Sequence, residues 1–260
     1  MNVKAVVKVM NFHALLRVDA SRRRAEKLAA MEEELAAMMR IVLNNRNLRA
    51  DKRIRLPDPG LPPLRIYLGS DLGFCGGVNA SVTSALNQDR SGEKVVVGKK
   101  LRTSSQVSLF LTREEYEADP EGVYQYLERA VKERCWSAVE LVYNHYYNMS
   151  SIKQVTRRIY PLEAQPEEME NQWDDFVIEG DVEGLLNDMT VSCLVYELQI
   201  AAASAFAAEN IMRQNATMES LKKLDELDEE ALRQARKEKN QQAFQKTIDS
   251  YVKQKSLGGV

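Results

Sequence analysis

The sequence has few cysteines and almost no net charge, and each shortage argues against a class of protein. Cys75, Cys135 and Cys193 are an odd number at wide spacing without a CxxC pair, so neither a disulfide framework nor a zinc site is expected. The net charge of −2 over 260 residues provides no overall positive field for nucleic acid. These shortages favour a cytoplasmic protein in a reducing compartment.

Long apolar runs are also missing. Residues 1–10 alternate Lys with Val and contain no apolar core, so no signal peptide is indicated. No uncharged apolar run approaches the roughly 18 residues that are needed to span a bilayer. We therefore expect no transmembrane segment.

Glycine and proline are absent from both ends of the chain and dense between them. Neither occurs in residues 1–56 or 185–257, whereas residues 57–63 contain five of them. Because these residues interrupt helices, both ends are predicted to be long helices. The expected domains are an N-terminal helix over 1–56, an α/β domain over 57–180 and a C-terminal helix over 181–260.

Both predicted helices carry an apolar seam whose members are alternately three and four residues apart. The N-terminal seam consists of Leu28, Met31, Leu35, Met38 and Val42. The C-terminal seam consists of Leu186, Met189, Cys193, Tyr196, Ile200, Ala203 and Ala207. Two such seams in one chain are predicted to bury each other in an antiparallel coiled coil.

The length of the C-terminal helix has a further consequence. At 1.5 Å per residue, residues 185–257 would extend about 110 Å as a helix, whereas a domain of this size is about 30 Å across. The outer part is therefore expected to need a sheath made by other chains. Its end is predicted to be polar, as in residues 237–242, which suits a rod that turns without adhering.

The middle of the chain alternates short apolar segments with helical ones. Strands are predicted at residues 65–68, 94–97, 138–143, 155–162 and 174–178, and helices near 79–88, 105–117 and 121–132. Strands that alternate with helices imply parallel βαβ units. The predicted fold is a small Rossmann-like α/β domain inserted between two long terminal helices.

A glycine-rich turn over residues 69–79 follows the first predicted strand. It contains neither GxGxxG nor a Gly-Lys-Ser/Thr sequence, so neither common phosphate-binding pattern is present and no cofactor is expected. We interpret Gly76 and Gly77 as residues that permit a positive φ and close packing of helix on sheet.

This turn resembles the gamma subunits of F-type ATP synthases. The family's Ser-Asp-(Arg/Lys)-Gly-Leu-Cys-Gly-Gly-(Phe/Tyr)-Asn stretch is matched at Ser70, Asp71, Gly73, Cys75, Gly76, Gly77 and Asn79. Four further stretches follow in the family's order, at residues 95–100, 141–144, 201–204 and 215–217. The resemblance covers roughly residues 60–220.

The resemblance implies a mechanical role and no catalytic residues in this chain. In the family, the terminal helices form a rotating central stalk inside a ring of alpha and beta subunits. The α/β domain contacts the epsilon subunit and the membrane-embedded c-ring, so ion flow is coupled to ATP synthesis or hydrolysis on the alpha and beta subunits. The resemblance also implies a complex peripheral to the inner or plasma membrane.

Some positions depart from the family pattern. The family's usual helical start has no counterpart before Met10, and Leu72 replaces a basic residue in the turn. Gln241 and Gln242 stand where the family has an Arg-Gln pair, and they are the candidates for contact with the ring. A gamma-like subunit of a paralogous rotary ATPase is therefore an alternative.

Three functions outside this family are further alternatives. Cys75 as nucleophile with His145 as base would suit a hydrolase of the α/β class, although a glycine-flanked cysteine more often packs in a tight turn. Residues 1–56 contain 13 Lys and Arg against 6 Asp and Glu, which could attract nucleic acid, but nothing there resembles a recognition helix or an aromatic stacking sheet. A coiled-coil scaffold outside any ATPase is the third.

Overall fold

The computed structural model describes residues 3–44, 57–75, 77–90, 92–101, 106–162 and 180–257. The elements in chain order are α1 (Val3–Asn44), β1 (Leu64–Leu68), α2 (Val78–Gln88), β2 (Glu93–Val97), β3 (Leu109–Leu111), α3 (Arg113–Ala118), α4 (Glu121–Lys132), β4 (Val139–Asn148), β5 (Ser151–Tyr160) and α5 (Val182–Leu257). Two long helices flank a five-stranded α/β region, and the predicted fold class is confirmed.

The five strands form one mixed sheet in the order β3-β2-β1-β4-β5. The first four are parallel, and β5 returns antiparallel to β4 after a two-residue turn. β1 and β2 are buried along almost their whole length, as expected for parallel strands that are covered on both faces.

The structure corrects two parts of the predicted α/β pattern. The helix predicted over 105–117 is instead the edge strand β3 followed by α3, because Thr112 and Glu115 form a reciprocal capping box that starts the helix at Arg113. The strand predicted over 155–162 corresponds to the second half of β5. Because β5 is joined to β4 by a hairpin and runs antiparallel to it, this strand is not part of a βαβ unit. The strand predicted at 174–178 lies outside the described residues.

Helices cover both faces of the sheet. On one face, α2 buries Val82 and Leu86 against Tyr67 and Val96. On the other face, the sheet packs against α4 and against the first third of α5, which contributes Leu194, Leu198 and Ala201 to the main core. α5 is therefore a structural part of the α/β domain before it becomes one of the two long helices.

α1 and α5 pack side by side and antiparallel. Near the start of α1, Lys4 Nζ lies 2.5 Å from Asp225 and 2.9 Å from Asp228. Near the end of α1, the Met39 sulfur lies 3.3 Å from the Cys193 sulfur. Residue numbers along α5 therefore decrease as those along α1 increase, so the two helices are antiparallel, as predicted for the coiled coil.

The buried seam of α1 differs from the predicted one. Met31 and Met38 are 41% and 58% exposed, so they do not lie between the helices, whereas Met39 is 5% exposed. Leu28 and Leu35 are half-buried. They fit a seam that continues to Met38 and equally a seam that continues to Met39, and the structure has the seam that continues to Met39. The side chain of Val42 lies outside the described residues.

Small residues form much of the actual seam. Ala14, Val18 and Ser21 are each at most 5% exposed and continue the spacing of four and three residues. Sequence hydrophobicity gives alanine and serine little weight, so this half of the seam was not predicted. On α5, Leu186, Cys193, Ala203 and Ala207 are buried, and Met189, Tyr196 and Ile200 are half-buried.

α5 continues far beyond the start of α1. The beginning of α1 lies against Asp225 and Asp228, and α5 runs on to Leu257, which is 29 residues further and about 43 Å as a helix. Every residue from 225 to 253 is exposed. We call residues 229–257 the overhang, since no other described part of the chain packs against them.

One stretch of α5 is apolar enough to cross a membrane by length and composition, with a mean hydropathy of 1.5 over 18 residues. Half of that stretch is buried inside the protein, and Leu194 and Leu198 are fully buried against the sheet. A core helix of a soluble protein meets the same criterion. The packing on the sheet and on α1 accounts for this composition.

Candidate functional site

The glycine-rich turn between β1 and α2 is closed by its own polar side chains. Asn79 Nδ2 donates to Ser70 Oγ at 2.7 Å and to Cys75 Sγ at 3.2 Å, and Asn79 Oδ1 accepts from the Ser70 backbone N–H at 3.1 Å. Ser70 Oγ in turn donates to the Leu72 carbonyl at 3.0 Å. Ser70 is fully buried and Cys75 nearly so. Three of the predicted motif residues therefore fix the shape of the turn.

Asp71 joins this turn to two neighbouring segments. Its carboxylate accepts from the backbone N–H groups of Lys99 at 2.7 Å, Arg113 at 2.9 Å and Glu114 at 3.3 Å. Lys99 follows β2, and Arg113 and Glu114 begin α3, whose first N–H groups have no partner within the helix. A negative charge at a helix start is favourable. Asp71 therefore acts as a brace at the carboxyl edge of the sheet.

A positive φ and close packing of helix on sheet were predicted for Gly76 and Gly77, whereas the tight glycine positions in this region are Gly69 and Gly98. Gly77 has a φ of −76° and no atom within 4 Å of the position that a Cβ would occupy, so the interpretation of Gly77 was wrong. A Cβ on Gly69 would collide with the Leu101 side chain, and one on Gly98 would lie 2.7 Å from the Gly69 carbonyl carbon. Gly76 lies outside the described residues.

A non-glycine residue adopts the left-handed conformation in this turn. Phe74 has a φ of +60° and is 72% exposed, and Leu72 beside it is 54% exposed. Both apolar side chains therefore project from the turn into solvent. Gly73 has open space around the position of a Cβ.

The structure does not bring Cys75 and His145 together as nucleophile and base. The hydrogen-bonding partners of Cys75 are Ser70, Asn79 and Leu72, all within the turn. His145 Nδ1 instead lies 3.1 Å from Ser204 Oγ on α5 and 3.3 Å from the Tyr143 hydroxyl. The hydrolase alternative therefore has no support in this geometry.

His145 belongs to a polar contact that attaches β4 to α5. Ser204 Oγ accepts from the Tyr146 backbone N–H at 3.0 Å and can donate its own proton to the neutral imidazole. Burial, followed by the charge of Arg157, holds the pKa of His145 below its ordinary value. The neutral form is thus the one that fits this junction.

Glu197 lies where α5 meets both β5 and α1. Arg157 of β5 donates to its Oε1 at 2.5 Å, while its Oε2 is buried without a hydrogen-bond partner among the described residues. Burial raises the pKa of Glu197, Arg157 lowers it, and the charge of Glu32 on α1 raises it. Three elements therefore meet around one carboxylate.

A cluster of charged residues on α5 was not predicted from the sequence. Arg213 and Glu209 form a buried ion pair one helical turn apart, and each is at most 5% exposed. Arg213 Nε also donates to the Gly73 carbonyl at 3.4 Å, and Arg113 Nη1 lies 3.4 Å from Glu209 Oε2. The sequence signal was an acidic and a basic residue spaced by four within an otherwise apolar helix face. We call Arg113, Glu209 and Arg213 the charged clamp.

Large apolar side chains are exposed at the end of the helix pair. On α1 they are Val3, Val6, Val9, Phe12, Leu15 and Leu16. On the overhang they are Leu232, Phe244, Ile248, Tyr251 and Val252. The last four share one helix face, so the end of the helix carries an apolar face beside the polar stretch predicted at residues 237–242. Gln241 and Gln242 are exposed on the same overhang.

The described residues contain no group of three or more His, Cys, Asp or Glu side chains that could hold a metal ion. The arrangement instead consists of a braced turn, a polar junction and a charged clamp that attach a small domain to a long helix. Its exposed apolar surface lies at the far end of that helix. This geometry suits the transmission of movement between partners.

Comparisons with known proteins point the same way. The family model described as ATP synthase matches residues 1–247. A curated relative, the ATP synthase gamma chain of Clostridium novyi, is 28% identical over 190 residues, which are 68% of this chain and 65% of the relative. The match thus spans just under two thirds of the relative's length.

Solved structures with a similar fold come from mitochondrial ATP synthases. A chain in the central stalk and c-ring structure from Tetrahymena thermophila is 17% identical, with a TM-score of 0.59 over 83% of this chain and 99% of that one. A chain in the Euglena gracilis structure of OSCP, F1 and c-ring is 15% identical, with a TM-score of 0.51 over 96% of both chains. At these identities the likeness concerns the fold.

Proposed function

The chain belongs to the ATP synthase gamma-chain family, whose members are non-catalytic central-stalk subunits, and on that premise we propose that it is the rotary stalk of an F-type ATPase. The family predicted from the sequence is thereby confirmed. In this role the chain couples rotation driven by ion flow to ATP synthesis or hydrolysis on other subunits. It supplies shape and stiffness and takes no part in the chemistry.

The observation that carries this proposal is the overhang. A helix of 29 residues with every described side chain exposed has little to stabilise it within its own chain, because helix stability in proteins comes mainly from packing. Its face of Phe244, Ile248, Tyr251 and Val252 would be costly to leave in water and suits enclosure by other chains. A stalk that is surrounded by a ring of subunits meets this requirement.

The proposed partners follow from this geometry. Alpha and beta subunits would surround the overhang and the adjacent end of α1, and the c-ring would contact the α/β domain at the opposite end. We further propose that the epsilon subunit binds the α/β domain, and that the complex is peripheral to the inner or plasma membrane. Gln241 and Gln242 are proposed contacts with the alpha/beta ring, since both are exposed on the overhang.

Purification of the tagged full-length chain from its native membranes tests the proposal. Mass spectrometry of the associated chains should find alpha and beta subunits in a threefold excess over this chain, together with c and epsilon. Recovery of the chain alone, or with nucleic acid that is released by salt, would contradict it. Recovery of alpha, beta and c without epsilon would refute only the epsilon contact.

A further inference from the structure

We propose that Arg113, Glu209 and Arg213 are positioning residues that prevent the α/β domain from rotating about the axis of α5. Torque applied to the domain is then transmitted to the long helices. This inference rests on the proposed function of the chain as a rotary stalk. It goes beyond that function because it assigns the transmission of torque to three side chains at one joint.

The domain is attached to α5 by two different kinds of contact. The first is apolar, where Leu194, Leu198 and Ala201 pack into the main core of the sheet. The second is polar and consists of the ion pair at Glu197, the junction at His145 and the charged clamp. Of these polar contacts, the charged clamp lies furthest along α5, toward the part of the helix that leaves the domain.

The two kinds of contact resist different movements. Apolar burial is non-directional and depends on area, so it holds the domain on the helix but sets its angle about the helix axis only through packing. Charge-assisted hydrogen bonds have narrow geometry, and guanidinium groups present their donors in a fixed plane. The polar contacts therefore add the directional restraint, and in the charged clamp both side chains on α5 are buried.

The clamp connects the helix to the carboxyl edge of the sheet by two routes. Arg213 donates directly to the carbonyl of Gly73 in the glycine-rich turn. Arg113 reaches Glu209 with one nitrogen and stacks over the Phe206 ring, with its guanidinium carbon 3.3 Å from the ring centre. Its own backbone N–H is held by Asp71 of the same turn. The turn, α3 and α5 are thus linked in a closed loop.

Burial makes this restraint stiff. Glu209, Arg213 and Asn210 are at most 5% exposed, and Arg213 Nη1 donates to Asn210 Oδ1 at 2.9 Å. Loss of one member leaves a buried charge without its partner, which is strongly unfavourable. A rotation of the domain about α5 would separate Arg113 from Glu209 and Gly73 from Arg213, while Glu209 and Arg213, which both lie on α5, would stay paired. The clamp is therefore expected to resist twisting at the point where torque passes between them.

The test measures the angle between the domain and the helix in the full-length chain. Spin labels at Ser84→Cys on α2 and Met218→Cys on α5, both exposed positions, report it in a Cys135→Ser background that leaves only the buried cysteines. The variants Glu209→Gln and Arg113→Met should each broaden the distance distribution at least twofold. Glu117→Gln is the matched control, because Glu117 also pairs with Arg113 but is half exposed and lies on α3.

A second readout uses the assembled ATPase in vesicles. The clamp variants should retain ATP hydrolysis while the number of ions pumped per ATP falls severalfold, and Glu117→Gln should pump normally. A variant that is merely less stable would lower hydrolysis and pumping together. If Glu209→Gln does not fold, Arg113→Met decides the matter, because Arg113 is partly exposed and its replacement keeps contact with Phe206.

The outcomes separate this inference from the proposed function. Distance distributions that stay narrow in folded clamp variants would overturn the clamp, whatever the chain assembles with. Broadened distributions in a chain that binds no alpha or beta subunits would support the clamp as a mechanical joint and refute the rotary stalk. Broadening with unchanged ion pumping per ATP would refute its role in transmitting torque.

Discussion

Gly98 lies where the loop after β2 meets the loop after β1, and its φ is +129°. A Cβ there would lie 2.7 Å from the carbonyl carbon of Gly69, which is a backbone atom and has no free movement. We therefore expect Gly98→Ala to lower the free energy of unfolding by about 2 kcal/mol or more, through strain and collision together. Chemical denaturation of the isolated chain measures this.

Gly73→Ala provides the control for that change. Gly73 lies in the glycine-rich turn after β1, has no atom within 4 Å of the position that a Cβ would occupy and is not left-handed. It should change stability by less than about 0.5 kcal/mol. Equal effects at the two positions would show that Gly98 is not packed against the Gly69 backbone as described.

The pKa of His145 gives the stability a defined pH dependence. Burial and Arg157 hold this pKa below the ordinary 6.5, so the unfolded chain takes up a proton at a higher pH than the folded chain does. Stability is therefore full above pH 6.5 and is lost as the pH falls through 6.5 toward the folded pKa. The groups that surround the His145 ring are Tyr143 and Tyr147 of β4, Arg157 of β5 and Ser204 of α5. None of these four side chains is a carboxylate that could stabilise the protonated ring.

Urea unfolding at about pH 7.5 and about pH 5.5 measures this dependence. His145→Gln should reduce the difference in unfolding free energy between the two values, because the titrating group has been removed. His13→Gln changes the only other histidine, which is exposed on α1, and should leave the difference as in the natural chain. An unchanged pH dependence in His145→Gln would refute the assignment.

At the scale of elements, the packing of α1 on α5 depends on one of two neighbouring methionines. Met39 is buried against Cys193, and Met38 is 58% exposed. Met39→Ala should destabilise the chain by about 2 kcal/mol, since it leaves a cavity in the seam. Met38→Ala should have an effect below about 0.5 kcal/mol. A larger loss for Met38→Ala, measured by thermal unfolding, would favour the seam predicted from the sequence.

The same pair shows what the sequence can and cannot specify about this element. The absence of glycine and proline predicted both long helices, because nothing in those segments interrupts a helix. The register was ambiguous, because Leu28 and Leu35 fit a seam through Met38 and a seam through Met39 equally well. Ala14 and Ser21 resolve it, but small residues become informative only when two helices are seen to approach closely.

The sheet shows a similar division. Three of its parallel strands were predicted because buried parallel strands are continuous apolar runs, as in residues 95–97. β3 was assigned to a helix, since three residues are too short for a period to be recognised. In the glycine-rich turn the motif residues were identified, but the bonds of Asp71 to Arg113 and of Arg213 to Gly73 join residues that are 42 and 140 positions apart. Local sequence carries no signal for such contacts.

At the scale of the whole molecule, stability and proposed function are located in different parts of the chain. The core lies in the sheet, α4 and the first third of α5, together with the helix pair up to Thr217, which is the last buried residue described on α5. The overhang has its own ion pair from Glu229 to Arg233 and a hydrogen bond from Gln245 to Asp249, which support an exposed helix only modestly. Removal of the overhang is therefore expected to impair assembly with other subunits without affecting the folding of the chain.

Truncation after Asp228 is the corresponding prediction. The isolated shortened chain should unfold at the same denaturant midpoint within error, because every described side chain that is removed is exposed and makes no contact with the core. Assembly with alpha and beta subunits should nevertheless weaken at least tenfold, since the overhang is the part that the ring is proposed to surround.

Alanine at Phe244, Ile248, Tyr251 and Val252 together should reproduce much of this loss of assembly if the apolar face is the contact, whereas Gln241→Ala with Gln242→Ala should have a smaller effect. A truncated chain that unfolds much earlier would mean that the overhang folds back on its own domain, and one that assembles normally would mean that the ring grips the helix pair elsewhere.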